Sequence, residues 1–430
     1  YYGSSALERT FNDVLLGYEP QRRVRFLDEL FGREPAGNTL KLSIEPALQR
    51  VARDALGGQR GGAAVIDSET GAILGLYGNP SYDPNPLAKS PRHEEEIRKA
   101  WTNLVNAPGD PLVSRAFSQR YPPGSTFKVV VAAAALINGM TPDTTFPDPR
   151  RLDLPDTNRT LGNYQNGSCV GGRISMRTAL RVSCNTTFAQ IAMRIGAEKL
   201  GRAAGRFGIG RKLDIGIDTA PSCLVAVPGA ACQDPGVLSR PATAYSGIGQ
   251  QDVRMTPLQM AVVAAAAGNG GFRVEPRLVE RIYDPIGETI AKSKPERTRI
   301  LPKKAAASLK SMMIDTVRFG TGAVVGFKDA SRGIIGGKTG TAETGVQGQF
   351  PHVWFVAFGP KVAVAVVVEN GGDAGGDATG GRVAGPIAKR LLEKAMQLQA
   401  QREAGGTDDS DLPQPGPSFP TTSPSPSEAP

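Results

Sequence analysis

Residues 121–128 read Tyr-Pro-Pro-Gly-Ser-Thr-Phe-Lys and lead straight into the apolar run Val-Val-Val-Ala-Ala-Ala-Ala-Leu-Ile at 129–137. A Pro-Pro-Gly turn followed by this run predicts a helix over Ser125–Met140, and a helix that is apolar on nearly all sides is normally buried. Ser125 and Lys128 are one helical turn apart, so their side chains share a face. The stretch therefore predicts a buried central helix that begins with a serine and a lysine side by side.

Short apolar strands lie on both sides of this helix in the sequence, and further helices are predicted where apolar residues recur at helical spacing. The predicted strands are Ala63–Asp67, Ala72–Tyr77, Arg332–Thr344, His352–Gly359 and Lys361–Glu369, and the predicted helices are Leu7–Leu16, Glu45–Leu56, His93–Val105, Ser125–Met140, Thr256–Gly268, Arg382–Ala400 and two pieces within Ile174–Ile195. Strands at both ends of an Ala-rich helical middle predict an α+β fold with a mainly antiparallel sheet.

Composition divides the chain into three regions. Residues 1–60 mix charged helical stretches with turn-rich pieces and are expected to be the remnant of an N-terminal pedestal or dimerisation region. Residues 61–400 are expected to form the main domain, which is long enough for one large core. Residues 401–430 are expected to be disordered, because they are rich in Pro, Ser, Thr, Gly and Asp and poor in apolar residues.

Charge and hydropathy narrow the possible partners. The net charge is +9, but the 50 Lys and Arg residues are spread along the chain, so no nucleic-acid binding is expected. The longest apolar stretches are far shorter than the ~20 residues that a membrane-spanning helix needs. The chain starts at Tyr1 rather than Met, so we expect an upstream segment to have been removed, and any membrane anchor would lie in it.

The four cysteines allow three pairings if all are oxidised. Cys223 and Cys232 flank a short loop containing Pro and Gly, which favours a local disulfide, and Cys169 and Cys184 are then the remaining pair. The alternative is four free thiols, since unpaired cysteines are commonly buried. None of the four has the CxxC spacing of zinc or redox sites.

Only two histidines are available for chemistry. His93 lies among charged residues on a predicted solvated helix face, His352 opens a predicted strand, and no serine lies in a GxSxG elbow. The sequence also lacks clustered metal ligands, a Walker loop and a dinucleotide-binding glycine loop, so no metal and no cofactor are expected. If the protein is an enzyme, its base is expected to be a residue other than histidine.

Three short patterns remain, and each occurs once in the chain. Residues 125–128 follow the pattern SxxK, residues 183–185 read Ser-Cys-Asn, and residues 338–341 read Lys-Thr-Gly-Thr. Each has an ordinary explanation by itself: a serine N-cap, an asparagine cap, and a solvated lysine at the tip of an edge strand. Together, on a helix, a helix junction and a strand, they describe one catalytic arrangement.

The residue types in these patterns suit acyl transfer by a serine. Ser125 at the start of a helix would be the nucleophile, favoured by the helix dipole. Lys128 would accept the proton of Ser125. For a lysine to be neutral at pH 7, its pKa must be lowered by an amount that corresponds to roughly 4–5 kcal/mol. Burial and the nearby charge of Lys338 would lower the pKa of Lys128 in this way. Ser183 would relay the proton to the leaving amine, and the amide of Asn185 would hold Lys128 and a peptide group of the substrate.

The third pattern suits a carboxylate. Thr339 and Thr341 alternate along a strand and so share a face, and two hydroxyls next to the Lys338 cation would bind a negative group. Gly340 lets a substrate lie close to the backbone. The backbone N–H of Thr341 would join that of Ser125 as the oxyanion hole.

These residues resemble those of the penicillin-binding proteins, which share the SxxK, SxN and KTG set with serine β-lactamases. Residues 121–128 and 338–343 look like the extended first and third motifs of the class B, monofunctional transpeptidases. Four further segments are similar: 3–8, 247–250, 256–259 and 352–355. The resemblance spans residues 1–398.

The resemblance implies a fold, an activity and a location. The fold would be penicillin-binding and serine β-lactamase-like, with helices on an antiparallel sheet and an Ala-rich helical subdomain. The enzyme would be a DD-transpeptidase of division or elongation on the extracytoplasmic face of the cell membrane, beside other cell-wall and division membrane proteins. It would act on the D-Ala-D-Ala end of peptidoglycan stem peptides and be acylated by β-lactam antibiotics at Ser125.

The middle pattern departs from the commoner forms of the family. Cys184 stands where Asp or Tyr is more familiar, and the Ser-Cys-Asn form is similar to actinobacterial division-type members. A disulfide from Cys184 to Cys169 would tie down the loop that carries Ser183 and Asn185.

Three alternatives use the same motifs. A β-lactamase would also hydrolyse the acyl-enzyme, but the chain is long for that and shows no Glu-x-x-x-Asn pattern between the second and third motifs. A DD-carboxypeptidase or endopeptidase would use water in place of the acceptor amine, and the motifs alone do not separate acceptors. A non-catalytic division scaffold or β-lactam sensor would keep its cellular role in a Ser125→Ala variant, whereas an enzyme would lose it.

Overall fold

An antiparallel sheet of five strands organises the protein. The computed structural model describes residues 6–17, 37–89, 91–227 and 231–405. Its strands are β1 (Thr39–Leu42), β2 (Gly61–Asp67), β3 (Ile73–Asn79), β4 (Thr145–Pro147), β5 (Arg151–Asp153), β6 (Thr160–Gly162), β7 (Arg173–Ser175), β8 (Phe272–Val274), β9 (Val279–Tyr283), β10 (Thr289–Lys292), β11 (Arg297–Arg299), β12 (Gly336–Ala342), β13 (His352–Phe358) and β14 (Val362–Val368). The main sheet has the order β12-β13-β14-β2-β3, so early and late strands pair and β12 lies at an edge.

Three of the described helices begin at a serine or threonine whose hydroxyl accepts a backbone N–H of the first turn. The helices of the described residues are α1 (Ala6–Thr10), α2 (Asn12–Leu15), α3 (Pro46–Leu56), α4 (Glu94–Val105), α5 (Lys128–Ile137), α6 (Met176–Val182), α7 (Asn185–Ile195), α8 (Ala197–Arg206), α9 (Arg240–Ser246), α10 (Pro257–Gly268), α11 (Lys303–Phe319) and α12 (Ala384–Gly405). At α10, the Thr256 hydroxyl accepts the Gln259 N–H and proline occupies the first position, where its missing N–H leaves no intrahelical bond unmade. Among the described residues, no helix combines the length and hydropathy needed to cross a membrane.

The two faces of the sheet bury two apolar clusters, because successive side chains of a strand point to opposite sides. On one face Trp354, Val356 and Phe358 pack with the wholly buried helix α10 and with α5. On the other face Phe355 and its alternating neighbours pack with α3 and α12. The α+β prediction is therefore confirmed, and the sheet lies between helical layers.

The predicted strands and helices are found, with two kinds of difference. The helix predicted over Ser125–Met140 begins as a 3-10 turn over Gly124–Phe127, and its α-helical part ends at Ile137, where Gly139 adopts a positive φ of 88°. The short strands β1 and β4–β11 and the helices α8, α9 and α11 are elements for which the patterns made no prediction.

The N-terminal region joins the main domain by strand pairing, of β1 with β9, and by packing of α3. Leu48, Ala52 and Leu56 of α3 lie in the cluster on the second face of the sheet. The division into residues 1–60, 61–400 and 401–430 stays a prediction, since residues 1–5, 18–36 and 406–430 lie outside the described residues.

Candidate active site

Ser125 lies on a 3-10 turn that is fixed against strand β12. The preceding Gly124 has a φ of +53°, and a side chain there would meet the carbonyl oxygen of Thr341 at 2.4 Å, so glycine is required. The Gly124 N–H donates to the carbonyl of Gly249 at 3.0 Å. The backbone before Ser125 is thereby held, while the serine itself is partly exposed.

Lys128 is fully buried on the next turn. Its Nζ donates to Asn185 Oδ1 and to the carbonyl of Ser183, each at 2.7 Å, and lies 3.4 Å from Ser183 Oγ. Within the described residues Ser125 Oγ is not among the hydrogen-bond partners of Lys128. Catalytic hydrogen bonds of free enzymes are often long and tighten only when substrate binds.

Lys338, on strand β12 of the sheet, contacts the Ser183 hydroxyl from the other side. It is also fully buried, and its Nζ donates to Ser183 Oγ at 2.8 Å and to the carbonyl of Thr339 at 3.0 Å. Ser183 Oγ therefore lies between the amines of Lys128 and Lys338. The structure thus brings together Lys128, Ser183 and Lys338, three of the residues that the sequence proposed for catalysis.

The two amines differ in acidity from ordinary lysines. Burial lowers the pKa of Lys338 to about 7. Burial, with the positive charge of Lys338 as a second cause, lowers the pKa of Lys128 well below its usual value. The charge of Lys338 therefore adds to burial in favouring the neutral form of Lys128.

Ser183 occupies the junction between α6 and α7 in a left-handed conformation, with φ of +64° and ψ of +38°. A residue other than glycine rarely adopts this conformation, and it costs of order 1–3 kcal/mol. It lets the chain reverse between the two helices so that Ser183 Oγ and Asn185 Oδ1 both face Lys128.

Asn163 is a site residue that the motifs did not indicate. Its Oδ1 accepts the backbone N–H groups of Asn185 at 2.9 Å and Thr186 at 3.0 Å, so it satisfies the free N-terminus of α7. Asn185 Nδ2 donates to the carbonyl of Gly162 at 3.2 Å, which uses one of the two amide N–H groups expected to meet a substrate peptide. Asn163 and Asn185 are 22 positions apart, and no local pattern connects them.

The third motif lies on the edge strand β12. Gly340 packs so closely that a side chain would come within 2.9 Å of the Pro123 carbonyl, beside the serine turn. Thr339 and Thr341 face the same side, as predicted, and Lys338 faces the other. Although the two side chains start on opposite faces of the strand, Lys338 Nζ lies 3.5 Å from Thr339 Oγ1, so the amine and the hydroxyl are neighbours.

Both suspected disulfides are present. Cys169–Cys184 has a Cα–Cα distance of 5.9 Å and Cys223–Cys232 one of 5.3 Å. Asp148 lies near the first pair, but sulfurs in a disulfide do not offer thiolate ligands, so this cluster is not a metal site. Cys184 stands between Ser183 and Asn185, and its bond to Cys169 anchors the second motif to the preceding loop.

The two histidines lie outside the lysine cluster. His93 contacts Glu96 on an exposed helix. His352 accepts the Asn370 N–H at 3.1 Å and packs edge-on against Tyr121. Both contacts are structural, in agreement with a base other than histidine.

Comparison with known proteins agrees with this geometry. Residues 61–393 match the family described as the penicillin-binding protein transpeptidase domain. The peptidoglycan D,D-transpeptidase PbpA of Mycolicibacterium smegmatis is 38% identical over 389 residues, which cover 86% of this chain and 76% of that protein. PbpA of Mycobacterium tuberculosis is 37% identical over 393 residues, with the same coverage.

Solved structures show the same fold. Penicillin-binding protein A from M. tuberculosis, as its ceftriaxone acyl-enzyme complex, superposes with a TM-score of 0.82 at 36% identity, over 92% of this chain and 88% of that one. Its penicillin G acyl-enzyme complex superposes with a TM-score of 0.80 at 35% identity, over 92% and 89%.

Fold and relatives define a serine-type acyltransferase of cell-wall synthesis. The chain belongs to the penicillin-binding protein transpeptidase family. Within it, the chain is a class B member, a peptidoglycan D,D-transpeptidase.

Proposed function

We propose that Ser125 is the nucleophile of this transpeptidase. Its Oγ attacks the carbonyl of the penultimate D-alanine of a stem peptide, an ester forms, and the amide bond to the terminal D-alanine breaks. An amine of a second stem peptide then attacks the ester, forms the cross-link and releases Ser125. β-Lactams react at the same atom through their strained amide and leave a stable ester.

The placement of two buried lysines around Ser183 supports this assignment most strongly. Neutral Lys128 takes the proton of Ser125. Ser183, whose Oγ accepts a hydrogen bond from Lys338 Nζ at 2.8 Å, passes a proton to the leaving amine. The Lys338 charge disfavours protonation of Lys128 before reaction. Asn185 holds the Lys128 amine in place at 2.7 Å.

Charge on the substrate is met by strand β12 and the serine turn. The backbone N–H groups of Ser125 and Thr341 form the oxyanion hole, where loss of one donor typically costs 10²–10³ in rate. Lys338, Thr339 and Thr341 bind the terminal carboxylate, and Gly340 lets the peptide approach the strand. This role explains why the hydroxyls and the amine meet at an edge rather than inside the sheet.

We further assign the substrates and surroundings of the enzyme from its relatives. The substrates are stem peptides ending in D-Ala-D-Ala, and β-lactams are inhibitors. The enzyme acts at the extracytoplasmic face of the cell membrane with other cell-wall proteins, residues 1–60 serving as a pedestal. Two disulfides among the described residues fit an oxidising compartment.

The test uses a peptide ending in D-Ala-D-Ala as donor and a D-amino acid as acceptor, with products read by mass spectrometry. We expect exchange of the terminal residue, and Lys128→Met should slow it about 10²–10⁴-fold, as loss of a general base does. Lys199→Met, at an exposed lysine of α8, is the matched control and should leave the rate unchanged. Hydrolysis without exchange would instead indicate a carboxypeptidase.

A further inference from the structure

Thr321 lies outside the three motifs, and its hydroxyl contacts one of them. Thr321 Oγ1 is 2.7 Å from Thr339 Oγ1, a short distance for two hydroxyls. Thr339 is 8% exposed, whereas Thr321 is exposed. The pair thus extends from the side chain of the third motif to the solvent side of the site.

The backbone fixes Thr321 from the opposite side of the site. Its N–H donates to the carbonyl of Arg181 at 3.1 Å. A side chain at the preceding Gly320 would lie 2.2 Å from that carbonyl, so the close approach requires glycine. Arg181 is two residues before Ser183, and Thr321 therefore connects the helix leading to the second motif with the strand carrying the third.

The direction of the hydrogen bond between the two threonines follows from what Thr339 must do. A hydroxyl has one donor and two acceptor positions, and a carboxylate only accepts. For Thr339 to donate to a substrate carboxylate, its Oγ1 must be the acceptor for Thr321. A chain Thr321–Thr339–carboxylate then forms, in which each hydrogen bond polarises the next.

We propose that Thr321 is a positioning residue for the terminal carboxylate of the substrate, acting by orienting the Thr339 hydroxyl. This inference rests on the proposed role of Lys338, Thr339 and Thr341 in carboxylate binding. It predicts that Thr321 determines preference for ligands that carry a free carboxylate, and that it contributes nothing to the attack of Ser125.

The experiment compares acylation by benzylpenicillin with acylation by its methyl ester, which lacks the anionic carboxylate. In Thr321→Val, we expect the second-order rate for benzylpenicillin to fall about 3–10-fold, the size of one neutral hydrogen bond. The loss should lie in the dissociation constant of the initial complex, with the limiting acylation rate unchanged. Acylation by the methyl ester should change less than about twofold, and Thr321→Ser should restore the rate for benzylpenicillin.

Two controls make the result decisive. Thr289→Val, on the exposed strand β10 of a different sheet, should alter neither ligand. An unchanged rate for Thr321→Val, or equal losses for both ligands, would overturn the inference. Thr339→Val separates it from the proposed function: if that variant also keeps full reactivity towards benzylpenicillin, the carboxylate role of the third motif fails, and the inference fails with it.

Discussion

Lys128 and Lys338 are buried beside one hydroxyl, and the hydrogen-bond partners found for them are uncharged oxygens. A buried charge without a counter-ion is unfavourable, so the folded enzyme favours loss of a proton from the pair. Burial lowers the pKa of both amines, and the charge of Lys338 lowers that of Lys128 as well, so Lys128 gives up its proton more readily. Burying these two lysines, which the proposed mechanism requires, therefore lowers the stability of the fold.

Lys338 should make the free energy of unfolding increase with pH. In the unfolded chain Lys338 titrates near its ordinary pKa of 10.5, against about 7 in the folded enzyme. Between these values the unfolded chain binds more protons, so the free energy of unfolding increases from pH 7 towards pH 10. Lys338→Met should weaken this dependence, and its stabilising effect should be larger at pH 7 than at pH 10 by up to about 4 kcal/mol, the limit for one proton over three pH units.

Urea unfolding of both proteins at the two pH values measures this difference. Lys199→Met is the control, since Lys199 is exposed and should show no pH-dependent effect. A stabilisation by Lys338→Met that is the same at pH 7 and pH 10 would show that Lys338 is not the source.

The order of the motifs was sufficient to predict the lysine pair and Ser183. It was not sufficient for Asn163 or Thr321. Asn163 accepts the N–H groups of Asn185 and Thr186, 22 and 23 positions away, and Thr321 contacts Thr339, 18 positions away. Such contacts depend on which loops lie next to each other in the folded chain. The spacing of residue types along the sequence carries no information about that.

The junction between α6 and α7 carries the second motif on a strained backbone. Ser183 is left-handed, and Cys184 next to it is extended and bonded to Cys169. The covalent link limits the alternative conformations that this short turn would otherwise adopt. The disulfide therefore serves the geometry of the site as well as the stability of the fold.

Removing this disulfide should impair both properties. For Cys169→Ala combined with Cys184→Ala, we expect a loss of about 3 kcal/mol in the free energy of unfolding, as for loops of this size. Acylation by benzylpenicillin should also slow, because Ser183 and Asn185 lose their anchor. Chemical unfolding and stopped-flow acylation measure the two effects.

The second disulfide provides the matched control. Cys223→Ala with Cys232→Ala removes a bond spanning 9 positions, against 15 for the first. It should lower stability by a similar amount and leave acylation unchanged, since Cys223 and Cys232 flank no motif. If the first pair can be removed, or reduced, with no effect on acylation or melting, the anchoring role is wrong.

Helices and strands with strong patterns were predicted to within a few residues, including β13 and β14, which are apolar except for His352 at the start of β13. The short strands were not, because three-residue strands such as β4 are too brief to show a period of two. Their pairing with distant partners, as β4 with β7, determines them instead.

One buried ionic network connects the end of strand β14 with Arg115 and with Tyr121, which precedes the serine turn. Glu369, directly after β14, accepts from Arg115 Nε at 2.8 Å and from Tyr121 Oη at 2.7 Å. Burial, followed by the charge of Glu369, raises the pKa of Tyr121 well above its usual value, so its hydroxyl remains a donor. Tyr121 is four residues before Ser125, and the network therefore helps to hold Ser125, the proposed nucleophile, in position.

Glu369→Gln should destabilise the protein by about 3 kcal/mol, because it leaves the Arg115 guanidinium, only 3% exposed, without its counter-charge. Thermal and urea unfolding measure the loss. Glu198→Gln is the control, since Glu198 pairs with Arg202 on an exposed helix surface and its loss should stay within about 0.5 kcal/mol. Equal effects of the two substitutions would show that the network is not a buried support.

The identity of the nucleophile is tested by intact-mass spectrometry of the protein during incubation with benzylpenicillin. We expect one adduct of the mass of the drug that persists for the time of the measurement. The adduct should be absent in Ser125→Ala and present in Ser81→Ala, at an exposed loop position. An adduct that forms equally in Ser125→Ala, or no adduct on the unaltered protein, would contradict the assignment of Ser125 and of the catalytic arrangement built around it.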